Sequence, residues 1–137
     1  MTTLALHTGP SLPALAMRGK VMALEAHLRR MTQVDIRLVH YFAPGLYIRE
    51  MHVPAGVTIT GRIHRTEHVC VLSKGTVSVT IDGNVKTLDA PYIVHAMPGS
   101  KRALHAHTDY VWANLHRTRE TDMNKIEHEL LVPEEYT

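Results

Sequence analysis

Residues 56–75 read GVTITGRIHRTEHVCVLSKG, and this stretch decides the fold. β-Branched residues lie on both sides of a short polar link, a composition that suits a pleated, half-buried surface. Gly56 and Gly75 punctuate its two ends, as chain reversals require. Two histidines, His64 and His68, fall in and just after the link. The expected unit is therefore two strands that bring a pair of imidazoles toward one place.

Working outward, the same pattern runs from about Asp35 to Arg117. Strands are expected at 36–41, 46–53, 57–63, 68–73, 76–82, 85–88, 91–96, 101–107 and 110–117. Pro44-Gly45, Pro54-Ala55-Gly56, Lys74-Gly75, Asp82-Gly83-Asn84 and Pro98-Gly99 separate them, and Asp82-Gly83 suits a tight hairpin turn. Short strands so evenly spaced predict an all-β barrel or sandwich that closes its edges. The ends differ. Ser11 reads as a helix cap with Pro13 in the first turn, and Val21, Leu24, Leu28 and Met31 recur at helical spacing. Glu25 stands four residues before Arg29, and Gly19 is placed to break the helix in two. This helix is expected on the outside of the domain or against a second subunit. A second helix is expected in the tail, capped by Thr121 or Asp122, with Ile126, Leu130 and Leu131 on one face. The organisation predicted is a helical extension over 1–34, a barrel over 35–118 and a helical tail over 119–137.

Composition narrows the function. The 137 residues make one domain, able to bury roughly two-thirds of its unfolded surface. A net charge of +2 and 5% aromatic residues argue against a nucleic-acid surface. No apolar run approaches a membrane span, and the start lacks the pattern of a secretory signal. A single cysteine, Cys70, excludes an internal disulfide and fits a reducing, cytoplasmic setting. No phosphate-cradling glycine loop, serine nucleophile turn or zinc-finger spacing is present. Histidine is the outlier, at 11 residues.

The segment from Gly56 to Gly75 resembles the first cupin motif, G-x5-H-x-H-x3-E-x6-G, with both end glycines in register. His64 matches the second histidine, Arg62 stands at the first, and His68 stands at the glutamate. The second motif, G-x5-P-x-G-x2-H-x3-N, is matched less well: Pro98-Gly99 resembles its turn with the proline one residue nearer the glycine, and counting from Gly99 puts Arg102 at its histidine and Ala106 at its asparagine. The resemblance covers residues 36–117. More closely, PAGVTITGRIHRTEH, LSKG, APY, PGSKRA and ETDMNKIE are similar to small stand-alone cupins common in phage and prophage genomes. The resemblance implies a small single-domain cupin, a double-stranded β-helix or jelly-roll barrel with an N-terminal helix and a short C-terminal helix. It further implies a homodimer, and the host cytoplasm as location if phage-encoded. It implies no particular reaction, because fold alone does not select one.

In such a barrel residues 62, 64 and 68 converge on the interior. Neutral imidazoles of His64 and His68 can hold a divalent transition metal, such as Zn, Fe, Ni or Mn. A third ligand is needed. Arg102 cannot serve, since a guanidinium has no lone pair to give. His107 is the first candidate, then His116, then His105, with Glu67 as a carboxylate alternative. Alternation sets His105 and His107 on one face and Arg102 on the other, with His107 near the end of its strand, while His116 shares a face with Trp112 and Asn114. His7, His27, His40, His52, His95 and His128 carry no motif support and read as structural or solvated. Arg62 and Arg102 offer a second chemistry: two planar forks in one cavity suit a carboxylate or phosphate. Alternatively each arginine pairs with a local acid such as Glu50 or Glu67. Cys70 alternates with His68 and reads as a small buried hydrophobe. The functions left open are a metal-binding barrel, with or without turnover of a small polar substrate, a non-catalytic binder of a small anion, and an interaction protein that leaves its cavity unused.

Overall fold

The computed structural model describes residues 12–133. The chain runs α1 (Leu12–Leu28), β1 (Arg37–Ala43), β2 (Leu46–Val53), β3 (Thr58–Thr60), β4 (His68–Lys74), β5 (Thr76–Ile81), β6 (Asn84–Asp89), β7 (Tyr92–Ala96), β8 (Ala103–Ala106), β9 (Tyr110–His116) and α2 (Met123–Leu130). Nine strands form two antiparallel sheets, ordered β1-β2-β9-β4-β7 and β3-β8-β5-β6. This is the expected all-β jelly roll. The strands around residues 57–63 and 101–107 are shorter than their composition suggests. Lys101 and Arg102 precede β8, and residues 61–67 cross from one sheet to the other as an irregular link. That link carries His64.

The core lies between the sheets. Leu72, Val77 and Val79 are fully enclosed, and Val53, Cys70, Tyr110 and Trp112 complete the layer. Strict alternation produces it: Val77, Val79 and Ile81 of β5 are buried while the residues between them are not. Deleting one such side chain down to alanine costs roughly 2–5 kcal/mol. Asp82 and Gly83 both take positive φ and join β5 to β6 in the expected two-residue turn. Gly75, the last glycine of the opening stretch, has φ +87°, and a Cβ there would stand 2.1 Å from the Asp109 carbonyl oxygen. Only glycine fits where β4 turns into β5.

The helices close the ends. α1 passes through Gly19 unbroken and stops at Leu28, which leaves Met31 exposed beyond it. Its proposed cap, Ser11, lies outside the described residues. The Val21 side chain is buried, and Glu25 reaches the buried Lys101 ammonium at 2.9 Å while accepting from the Thr60 hydroxyl at 2.6 Å. Burial opposes ionisation of Glu25, but the Thr60 hydroxyl and the Lys101 ammonium outweigh it and hold the carboxyl below its usual range. The spacing of Glu25 and Arg29 does form its ion pair, at 3.2 Å. Lys101 is the deeper partner. At the other end, Asp122 caps α2 through the Asn124 and Lys125 amides. Ile126, Leu130 and Leu131 then pack on Tyr47 in a second, smaller apolar cluster. No helix among the described residues is long and apolar enough to cross a membrane.

Candidate metal centre

Three histidines meet where the cross-over link, β4 and β9 come together. His64 sits in the link and forms an isolated antiparallel bridge with Leu131. His68 opens β4, and His116 closes β9. Because Val69 pairs with Leu115, the two ends are adjacent. Ring centroids are 4.5 Å apart for His64 and His68, 4.5 Å for His68 and His116, and 5.2 Å for His64 and His116. One nitrogen from each lies within 4.8 Å of the other two.

The local packing explains the arrangement. The tail beyond α2 runs along the link: the Arg65 amide donates to the Leu130 carbonyl, and the Val132 amide donates to the Ile63 carbonyl at 2.9 Å. These bonds fix the irregular backbone on either side of His64. His68 Nδ1 donates to the Thr66 carbonyl at 3.1 Å, which leaves Nε2 as the ring nitrogen with a lone pair. Tyr47 stacks on His116 and bonds to His40 Nδ1 through its hydroxyl. His116 Nδ1 is buried and has no hydrogen-bond partner.

Electrostatics keeps all three rings neutral. Burial, reinforced by the neighbouring His68, His116, Arg49 and Arg102, pushes His64 down to about 2. Burial, with His68 and Arg49 beside it, pushes His116 down to about 4. His68 is lowered too, chiefly by burial, against the opposing bond to Thr66. Neutral imidazole is the form that donates a lone pair to a metal. A buried ring nitrogen with no protein partner, beside two other neutral rings, fits a divalent ion.

The other expected ligands lie elsewhere. His107 is exposed, and its Nε2 bonds to the Ser78 hydroxyl at 2.6 Å. His105 is also exposed and bonds to Thr58 Oγ1. Both stand on the outer face of β8 and the turn after it, because Leu104 and Ala106 take the inward positions. His107 is therefore not the third member of the cluster; His116 is. Glu67 is exposed and bonds to His95. His40 and His52 also have local partners, in Tyr47 and Glu50, while His27 and His128 are exposed and His7 lies outside the described residues.

A cavity of about 150 Å³ opens beside His64 and His68, and Arg62 and Arg102 both line it, as the alternation of the motif requires. Arg62 is drawn toward the tail. It donates to the Val132 carbonyl at 2.8 Å and approaches Glu127 at 4.0 Å. Neither arginine uses Glu50 or Glu67. A third arginine, Arg49 of β2, also lines the cavity. Sequence reasoning passed over it, although Tyr47, Arg49, Met51 and Val53 occupy one face of β2 by simple alternation. Cys70 is buried, its thiol pushed up to about 11 by burial, and it donates to Asn114 Oδ1. It does not line the cavity.

No protein-family model matches the sequence, and no curated protein does. Solved structures match well. They include the Cupin_2 domain of an XRE family transcriptional regulator from Enterobacter cloacae, at 14% identity and TM-score 0.53, covering 64% of this chain and 100% of that one. KdgF from Halomonas sp. matches at 18% identity and TM-score 0.56, over 67% of this chain and 90% of that one. Salicylate 1,2-dioxygenase from Pseudoaminobacter salicylatoxidans matches at 12% identity and TM-score 0.58, over 84% of this chain but 36% of that longer one. At such identities the likeness establishes the fold.

Proposed function

We propose that this chain, a single barrel of the cupin fold, holds a divalent transition metal through His64, His68 and His116. One observation carries the reading: three neutral imidazoles converge, His68 and His116 buried and His64 half-buried, and His116 Nδ1 has no other partner. A set made only of imidazoles suits zinc, iron or nickel better than manganese, which prefers oxygen ligands. Three protein ligands are the number found in open, reactive metal sites. When bound, the ion would supply a Lewis-acidic position open to the cavity. The chain's own part is then to keep the rings unprotonated and oriented, through burial, the Thr66 carbonyl and the hydrogen-bonded tail.

The test is metal analysis of purified protein, followed by calorimetric titration of the chelator-treated protein with zinc and nickel. Binding at micromolar concentration or tighter, lost in His64→Ala, is the expected result. Absence of binding, or binding unchanged in His64→Ala, would overturn the reading.

A further inference from the structure

The cavity beside the histidine cluster has a one-sided charge balance. Three arginines line it, and no aspartate or glutamate does among the described residues. Arg62 is engaged by Val132 and Glu127. Arg49 and Arg102 differ: neither has a carboxylate within 4.0 Å among the described residues. Arg49 Nε is buried and has no hydrogen-bond partner. Glu50, next to Arg49 in sequence, is occupied by His52 at 2.7 Å.

Both arginines line the cavity together with His64 and His68. Arg49 pairs in register with Asn114 on β9, two residues before His116. Guanidinium stays protonated under all ordinary conditions, and both arginines are half-buried, so a charge left without a counter-ion there is partly desolvated and unfavourable. A dication held by the cluster would deepen the imbalance. The missing partner is an anion. Its carbon skeleton is suggested by the remaining wall, which includes Met51, Ile59, Leu104 and Trp112. At about 150 Å³, the space suits a small organic molecule.

We propose that this cavity binds a small organic acid whose carboxylate lies between the histidine cluster and the guanidinium groups of Arg49 and Arg102. The proposal rests on the metal reading for one side of the site, while the arginines supply the other. Planar forks match a carboxylate through paired N–H donors, and the apolar wall takes the rest of the molecule.

Trp112, the single tryptophan, lines the cavity and supplies the signal. Malonate, succinate and benzoate are titrated into nickel-loaded and chelator-treated protein, followed by fluorescence and calorimetry, with malonamide as the neutral comparator and inorganic phosphate alongside. At least one carboxylate binds, malonamide does not, and Arg49→Gln and Arg102→Gln each weaken binding by about tenfold or more, as expected for a lost charged hydrogen bond. Nickel affinity does not fall in either variant, because a cation near the ion has been removed. Arg49→Lys and Arg102→Lys serve where the glutamine variants do not fold, and they also weaken binding, since lysine lacks the fork. Carboxylate binding unchanged in the variants, absent from the native protein, or matched by malonamide overturns the proposal. Phosphate binding more tightly than every carboxylate overturns its organic-acid part. If nickel fails to bind while arginine-dependent carboxylate binding persists, the metal reading falls and this one stands.

Discussion

Two groups of histidines lie on this barrel, and their surroundings differ more than their spacing. His105 and His107 are 5.4 Å apart, a separation close to that of His64 and His116. Yet the outer pair is exposed, and each ring bonds to a hydroxyl, Thr58 or Ser78. Of the inner three, His68 and His116 are buried and His64 half-buried, their basicity is lowered, and one nitrogen has no protein partner. Proximity of imidazoles is cheap on a sheet surface. Enclosure without hydrogen-bond satisfaction is what marks the inner group, since buried polar atoms normally find partners.

The contrast is broken most directly by exchanging which group loses a ring. His116→Ala should weaken zinc or nickel binding by more than about 100-fold, beyond the effect typical of residues that only orient ligands. His107→Ala should leave it unchanged. Calorimetric titration of both variants measures the difference, and the opposite pattern would reverse the assignment. A second test removes the enclosure and keeps the rings. Ile126→Ala opens the apolar cluster under α2 and should cost roughly 2–5 kcal/mol in denaturant unfolding, with weaker metal binding alongside.

Acid offers a third test. Unfolded histidines take up a proton near pH 6.5, whereas folded His116 does so only at about 4 and His64 at about 2. Across that window the unfolded chain binds more protons, so the stability of the metal-free protein should fall as the pH drops from about 6.5 toward 4. Melting temperatures in the presence of chelator report this. His116→Gln should flatten the profile, while a His105→Ala, His107→Ala double variant should keep it. The smallest effect belongs to the outer pair itself. Ser78→Ala should change stability by no more than about 0.5 kcal/mol, as substitutions outside the core do.

Much of the fold was readable from alternation and punctuation. Val77, Val79 and Ile81 declare an inward face, and Asp82-Gly83 declares its turn. His64 and His68 were readable too, because the two end glycines set their register. The third histidine was not. Choosing between His107 and His116 required knowing that β9 lies between β2 and β4, with its last residue beside His68. Such non-local pairing leaves no trace in a single strand. Arg49 was missed for a different reason: its alternation with Tyr47 and Met51 is plain, but a charged residue on an inward face reads as an exception until the cavity it lines is seen. The length of α1 was legible only in part, since Gly19 costs about 1 kcal/mol in a helix and its packing against the barrel overrides that.

The position of β9 has a consequence in time. The last of the described strands in chain order is inserted into the middle of its sheet, between β2 and β4, and it delivers His116 only then. Until that happens, the nascent barrel has an unfilled slot where two strands await a shared neighbour, and the tail that braces His64 has yet to arrive. A partly made chain therefore presents His64 and His68 without their enclosure. The three-histidine cluster, on this architecture, is assembled only once β9 and the segment after α2 are both in place.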